Sequence, residues 1–148
     1  MTYQFKIQLK GFENPEVWRQ VEVPSECSFL QFHKIITVAF GREQNNSMFS
    51  FSPSGKGSKP QIISLDLTFG DNIIAKTTLL STIFKRQGQT FVYLPDSNEL
   101  RTHYIVLEKI TSDEISYAEC IAGEGVYPPE TCADPEDYEE QSKCVIKK

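Results

Sequence analysis

Tyr3, Phe5, Ile7 and Leu9 alternate with polar residues at the start of the chain, the period-two pattern of a half-buried strand. The cluster "GFENP" at 11–15 is a turn by composition. Val17, Val21 and Val23 then share one face of a second strand, with Trp18 and Arg19 on opposite faces, and Pro24 ends it. The two strands read as a hairpin. After Pro24 the period changes. Phe29, Phe32, Ile36 and Phe40 fall at helical spacing, and Ile35 and Ala39 widen the stripe. Ser28 and Gln31 have the spacing of a capping box, and Gly41 supplies a left-handed stop.

The pattern continues with a third strand at 48–51 and a fourth carried by Ile63, Leu65, Leu67 and Phe69. The stretch "SPSGKGSKP" between them is a loop. Its glycines and lysines lack the spacing and the strand-to-helix setting of a phosphate cradle. A second helix is predicted over 78–87, capped by Thr77 or Thr78, with Leu79, Leu80, Ile83 and Phe84 as its apolar face and Lys85, Arg86 and Gly88 closing it. Phe91 and Tyr93 begin another strand, and 103–110 form a long last one. The order is β-β-α-β-β-α-β-β. Helices separated by hairpins predict an α+β fold: a mixed, largely antiparallel sheet covered by two helices. An irregular acidic tail, 112–148, is expected to pack on a single domain spanning 1–148.

Charge sharpens the division between body and tail. Residues 1–111 carry 12 Lys/Arg and 10 Asp/Glu, whereas 112–142 carry 10 Asp/Glu and no Lys or Arg. A duplex-binding surface needs clustered cations to neutralise phosphate, and no such cluster stands in the sequence. The alternating start resembles neither a signal peptide nor a membrane span, which predicts a cytoplasmic protein with reduced thiols.

Three segments together resemble the plasmid pRiA4b open-reading-frame-three-like family, also labelled an insertion-element passenger TnpR-like protein. In the first, Pro15, Trp18, Arg19, Pro24 and His33 match the family pattern, with Phe32 in place of a leucine. In the second, "FVYLPDSNELRTHYIVLEKI", alignment on His103 and Glu108 puts the first family Asp on Asp96. The second family Asp is replaced by Glu99, and Ser97, Asn98 and Arg101 hold its Phe, Gly and Trp positions. In the third, Cys120, Pro128, Pro129, Glu130, Cys132 and Tyr138 match, Tyr127 replaces the middle cysteine, and Ala133 and Asp134 replace two glycines. The resemblance implies an α+β fold and no particular chemistry.

Each candidate site has a bland reading beside the functional one. Cys120, Cys132 and Cys144 are each twelve residues apart, so no pair has the short spacing of a zinc knuckle. A metal held by Cys120, Cys132 and His103 is therefore a secondary reading, and no cofactor is expected. The alternative is an extended acidic segment packed over the sheet, with Cys120 and Ile121 buried and the Pro128–Pro129 pair holding its path. Asp96, Glu99 and His103 could bind a divalent ion or do acid–base work, although Asp and Asn in "PDSN" are also ordinary turn residues. His33 shares the face of Phe29, Ile36 and Phe40 and reads as a histidine at the core edge. Trp18 and Arg19 are candidate binding residues, with Trp18 expected to be covered by the tail. Cys27 precedes the helix cap with no catalytic partner in view.

The preferred expectation is a non-enzymatic binding domain with a protein partner. Two alternatives stand beside it: an enzyme using Asp96, Glu99 and His103, and a mobile-element accessory acting on DNA.

Overall fold

A computed structural model describes residues 1–13, 16–42, 49–53, 61–63, 73–95 and 101–128. The chain runs β1 (Thr2–Glu13), β2 (Glu16–Pro24), α1 (Phe29–Ala39), β3 (Ser50–Ser52), β4 (Ile62–Ile63), β5 (Ile73–Ile74), α2 (Leu80–Ile83), β6 (Thr90–Leu94), β7 (His103–Thr111) and β8 (Glu119–Glu124). The strands form one sheet in the order β5-β4-β3-β6-β7-β1-β2-β8. Every pairing is antiparallel except β4 with β5. The α+β class, the mostly antiparallel sheet and the two helices are as the sequence predicts.

The core lies between one sheet face and the helices. Tyr3, Phe5, Ile7 and Leu9 of β1 and Val17, Val21 and Val23 of β2 are all buried, as their alternation requires. Phe5 is opposite Val21 on one side and Leu107 on the other. Phe5 also lies 4.6 Å from Phe32 and 4.9 Å from Phe84, ring centroid to centroid. Burying a Phe side chain removes enough apolar surface from water to contribute about 1.5–3 kcal/mol.

Helix α1 begins and ends as its sequence dictates. The Gln31 N–H donates to Ser28 Oγ at 3.1 Å, and the Ser28 N–H donates to Gln31 Oε1 at 2.8 Å. Phe29, Phe32, His33 and Ile36 face inward. Gly41, at φ 71°, turns the chain out of the helix.

Helix α2 is a single turn, not the ten residues predicted over 78–87. Neither threonine caps it: the cap position is Leu79, and Thr78 Oγ1 donates back to the Ile74 carbonyl. The first amides of the turn bond instead to the chain before α1, Leu80 N–H to Cys27 O and Ser81 N–H to Ser25 O. Phe84 is already extended, at ψ 117°.

Two strands join those read from the sequence. Ile73–Ile74 adds in parallel to β4. The beginning of the expected irregular tail contains β8, paired with β2 from Trp18↔Glu124 to Glu22↔Glu119, and its Cys120 and Ile121 are exposed, not buried as expected. The predicted strand at 48–51 is observed from Ser50, and of the predicted strand from Ile63 only its start is among the described residues. Tail residues 129–148 lie outside them.

Candidate functional site

Two regions bring the singled-out residues together. The first is a cluster of rings beneath the C-terminal end of α1. His103 opens β7, opposite Tyr93 of β6 and Leu9 of β1, and has no exposed surface. Its imidazole is 5.5 Å from the Phe40 ring and 5.3 Å from Tyr93, and it stacks on Tyr127 at 5.6 Å and 9°. His33, on the inner side of α1, stacks on Phe49 at 4.0 Å. Its Nδ1 is 2.5 Å from the Tyr93 hydroxyl oxygen. Tyr93 therefore stands between the two histidines.

Both imidazoles are neutral at pH 7. Burial pushes the His103 pKa down to about 3, aided by the Arg42 and Arg101 charges and opposed in part by nearby backbone groups of Arg101 and Tyr93. Among the described residues neither His103 nitrogen makes a hydrogen bond of good geometry, and burial outweighs what those backbone groups contribute. The His33 pKa falls to about 4, through burial first and then the Arg42 and Lys34 charges. The arginines around the cluster lie over aromatic faces: Arg19 5.0 Å from Phe40, Arg42 5.2 Å and Arg101 5.3 Å from Tyr127.

Asp96, Glu99 and Cys132 lie outside the described residues, so of the two proposed metal or acid–base sets only His103 and Cys120 are seen. They belong to strands separated in the sheet by β1 and β2. Three strand spacings amount to about 14 Å, well beyond one coordination sphere. Among the described residues, no group of three His, Cys, Asp or Glu side chains is placed to hold a metal. No helix there is long and apolar enough to cross a membrane.

The second region is the β2–β8 edge. Arg19 donates from Nε to Ala39 O, from Nη1 to Trp18 O and Glu124 O, and from Nη2 to Gly125 O, all at 2.8–2.9 Å. It ties the end of α1 to the end of β8, where a guanidinium also complements the negative end of the helix dipole. Trp18, on the opposite face, is half-buried. Its Nε1–H donates to Glu124 Oε2 at 3.1 Å, and Lys6 Nζ sits 4.9 Å above the ring.

Between α1 and β8 runs a groove of about 470 Å³. Gln31, Lys34, Ile35 and Val38 form its helical wall, and residues 116–120 form the other. At its rims Val38 is 64% exposed and Tyr117 74%. Cys27 lines its floor, and burial pushes that thiol's pKa up, away from nucleophilic use. Sequence reasoning missed this groove. The helical signal for it was Val38, an apolar residue off the Phe29–Phe32–Ile36 stripe, but its opposite wall depends on a strand that has no periodic signature.

The fold is similar to that of the protein of unknown function MM3350 from Methanosarcina mazei Go1, with a TM-score of 0.75 and 24% identity, covering 99% of this chain and 82% of that one. No curated protein matches the chain. A family model described as plasmid pRiA4b ORF-3-like protein matches residues 1–148.

Proposed function

We propose that this chain, which belongs to the plasmid pRiA4b ORF-3-like protein family, is a binding domain for a protein partner that docks in the groove between α1 and β8. The observation that carries the reading is the open apolar groove, with two large apolar side chains, Val38 and Tyr117, standing at its rims. Exposed apolar surface of this kind gains from being covered, and a rigid sheet with a capped helix holds it ready-shaped. A photo-crosslinking residue at position 38, compared with one at the exposed position 104 on the other face, tests it. A discrete adduct from position 38 that disappears with Tyr117→Ser supports the groove. The same products from both positions would sink it.

One observation favours a second reading, acid–base or metal chemistry at His103. A fully buried imidazole whose nitrogens find no hydrogen bond of good geometry among the described residues is costly to keep unless something uses it. Elemental analysis of the untagged protein and of His103→Leu tests this: a stoichiometric divalent ion lost on substitution would move the function to the ring cluster.

A further inference from the structure

Resting on the groove reading, we infer that the partner binds by adding a strand to the outer edge of β8, and that this strand alternates apolar with basic side chains. β8 is the last strand of the sheet on its side. Its inner edge is taken by β2, and among the described residues no strand pairs with its outer edge. Apart from half-exposed Ala122, all its residues are exposed, so half of its backbone N–H and C=O groups face outward as a template for another strand.

The side chains of β8 specify the occupant. On the groove side stand Cys120, opposite Val21, and Gly123, opposite Arg19. The Arg19 side chain fills the space over Gly123, so it is beside small Cys120, which lines the groove, that an added strand has room to send an apolar side chain toward Ile35, Val38 and Tyr117. On the other face Glu119 lies directly opposite Glu22, and Glu124 lies opposite Trp18. Two carboxylates face to face across a ladder repel, and a cation on the next strand relieves them. A second copy of this chain is the wrong occupant. Antiparallel pairing of two β8 strands about Ile121–Ala122 sets Glu119 against Glu124 twice. The register shift between Cys120 and Ala122 also breaks the ladder. The edge thus refuses itself and favours a basic strand.

The test uses the full isotope-labelled chain and an acetylated hexapeptide alternating lysine with valine. Two further forms are N-methylated at alternate residues, one at the lysines and one at the valines. Strand addition predicts saturable amide shifts over 119–124, retained by one methylated form and weakened at least tenfold in the other, because only one set of peptide N–H groups faces β8. Glu119→Lys should weaken the lysine peptide at least tenfold without lowering stability, and should favour a peptide with glutamate in place of lysine. Equal binding by both methylated forms, with shifts confined to α1, would overturn strand addition while leaving the groove standing. No binding by the lysine peptide, or indifference to Glu119→Lys, would overturn the inference itself. The crosslinking at position 38 judges the groove separately.

Discussion

The Tyr93 hydroxyl sits 2.5 Å from Nδ1 of His33, and the same ring lies 5.3 Å from His103. One tyrosine thus packs between two histidines that the fold keeps neutral, with pKa values of about 4 and about 3 against 6.5 for a free side chain. In the unfolded chain both take up protons as pH falls through 6.5, while in the folded chain they resist until about 4 and about 3. The unfolded state then binds more protons, so stability is full above about pH 6.5 and falls as pH drops toward 3. The limiting slope is about 1.4 kcal/mol per pH unit for each histidine. Urea titrations from pH 7.5 to 4 should show this fall, and His33→Gln should reduce it. An unchanged slope would mean that the imidazoles are not neutral in the folded state.

His103→Leu replaces an imidazole that makes no hydrogen bond of good geometry among the described residues with an apolar side chain of similar volume in an aromatic surround. It should raise stability at pH 7 by about 1 kcal/mol, since an unsatisfied buried polar group costs about 1–3 kcal/mol. Chemical denaturation measures it. A loss of 2 kcal/mol or more would show that the imidazole makes a stabilising contact.

Arg19→Lys keeps the charge and loses the fork. A lysine ammonium cannot serve the carbonyls of Ala39, Glu124 and Gly125 together. The expected cost is about 1–2 kcal/mol. Amide hydrogen exchange should quicken over 119–124 more than in β1, whose pairing with β2 does not use the Arg19 side chain.

Gly125→Ala should be more damaging. Gly125 has φ 80°, and a Cβ there would collide with the Glu16 carbonyl. Strain at a left-handed position costs about 1–3 kcal/mol, and relieving the collision means moving β8 away from β2. Denaturation midpoints should fall, with exchange protection lost first at β8.

Elements with their own periodic signal were legible in the sequence. β1 and α1 each carry an apolar stripe, β2 carries one interrupted at Arg19, and Ser28, Gln31 and Gly41 mark the helix ends. β8 was not legible, because "ECIAGE" has one large apolar residue and no alternation. It becomes a strand through pairing with β2 and the grip of Arg19. Nor could α2 be sized, because its amides are satisfied by Ser25 and Cys27, about 55 positions earlier in the chain. The site was legible only in part. His33 and His103 stood out as titratable residues, but the ring of Tyr93 that joins them and the groove beside α1 both depend on contacts far apart in sequence.

The position of β1 shapes how this molecule comes into being. Its residues 2–9 pair on one side with a hairpin neighbour and on the other with residues 103–111. During synthesis the first hairpin can form early, yet its apolar face must wait for α1, and its free edges must wait for about a hundred more residues. So non-local a sheet folds in milliseconds to seconds rather than microseconds. Until then, a hairpin bearing Tyr3, Phe5, Ile7 and Val21 on one face is the kind of nascent segment that chaperones hold.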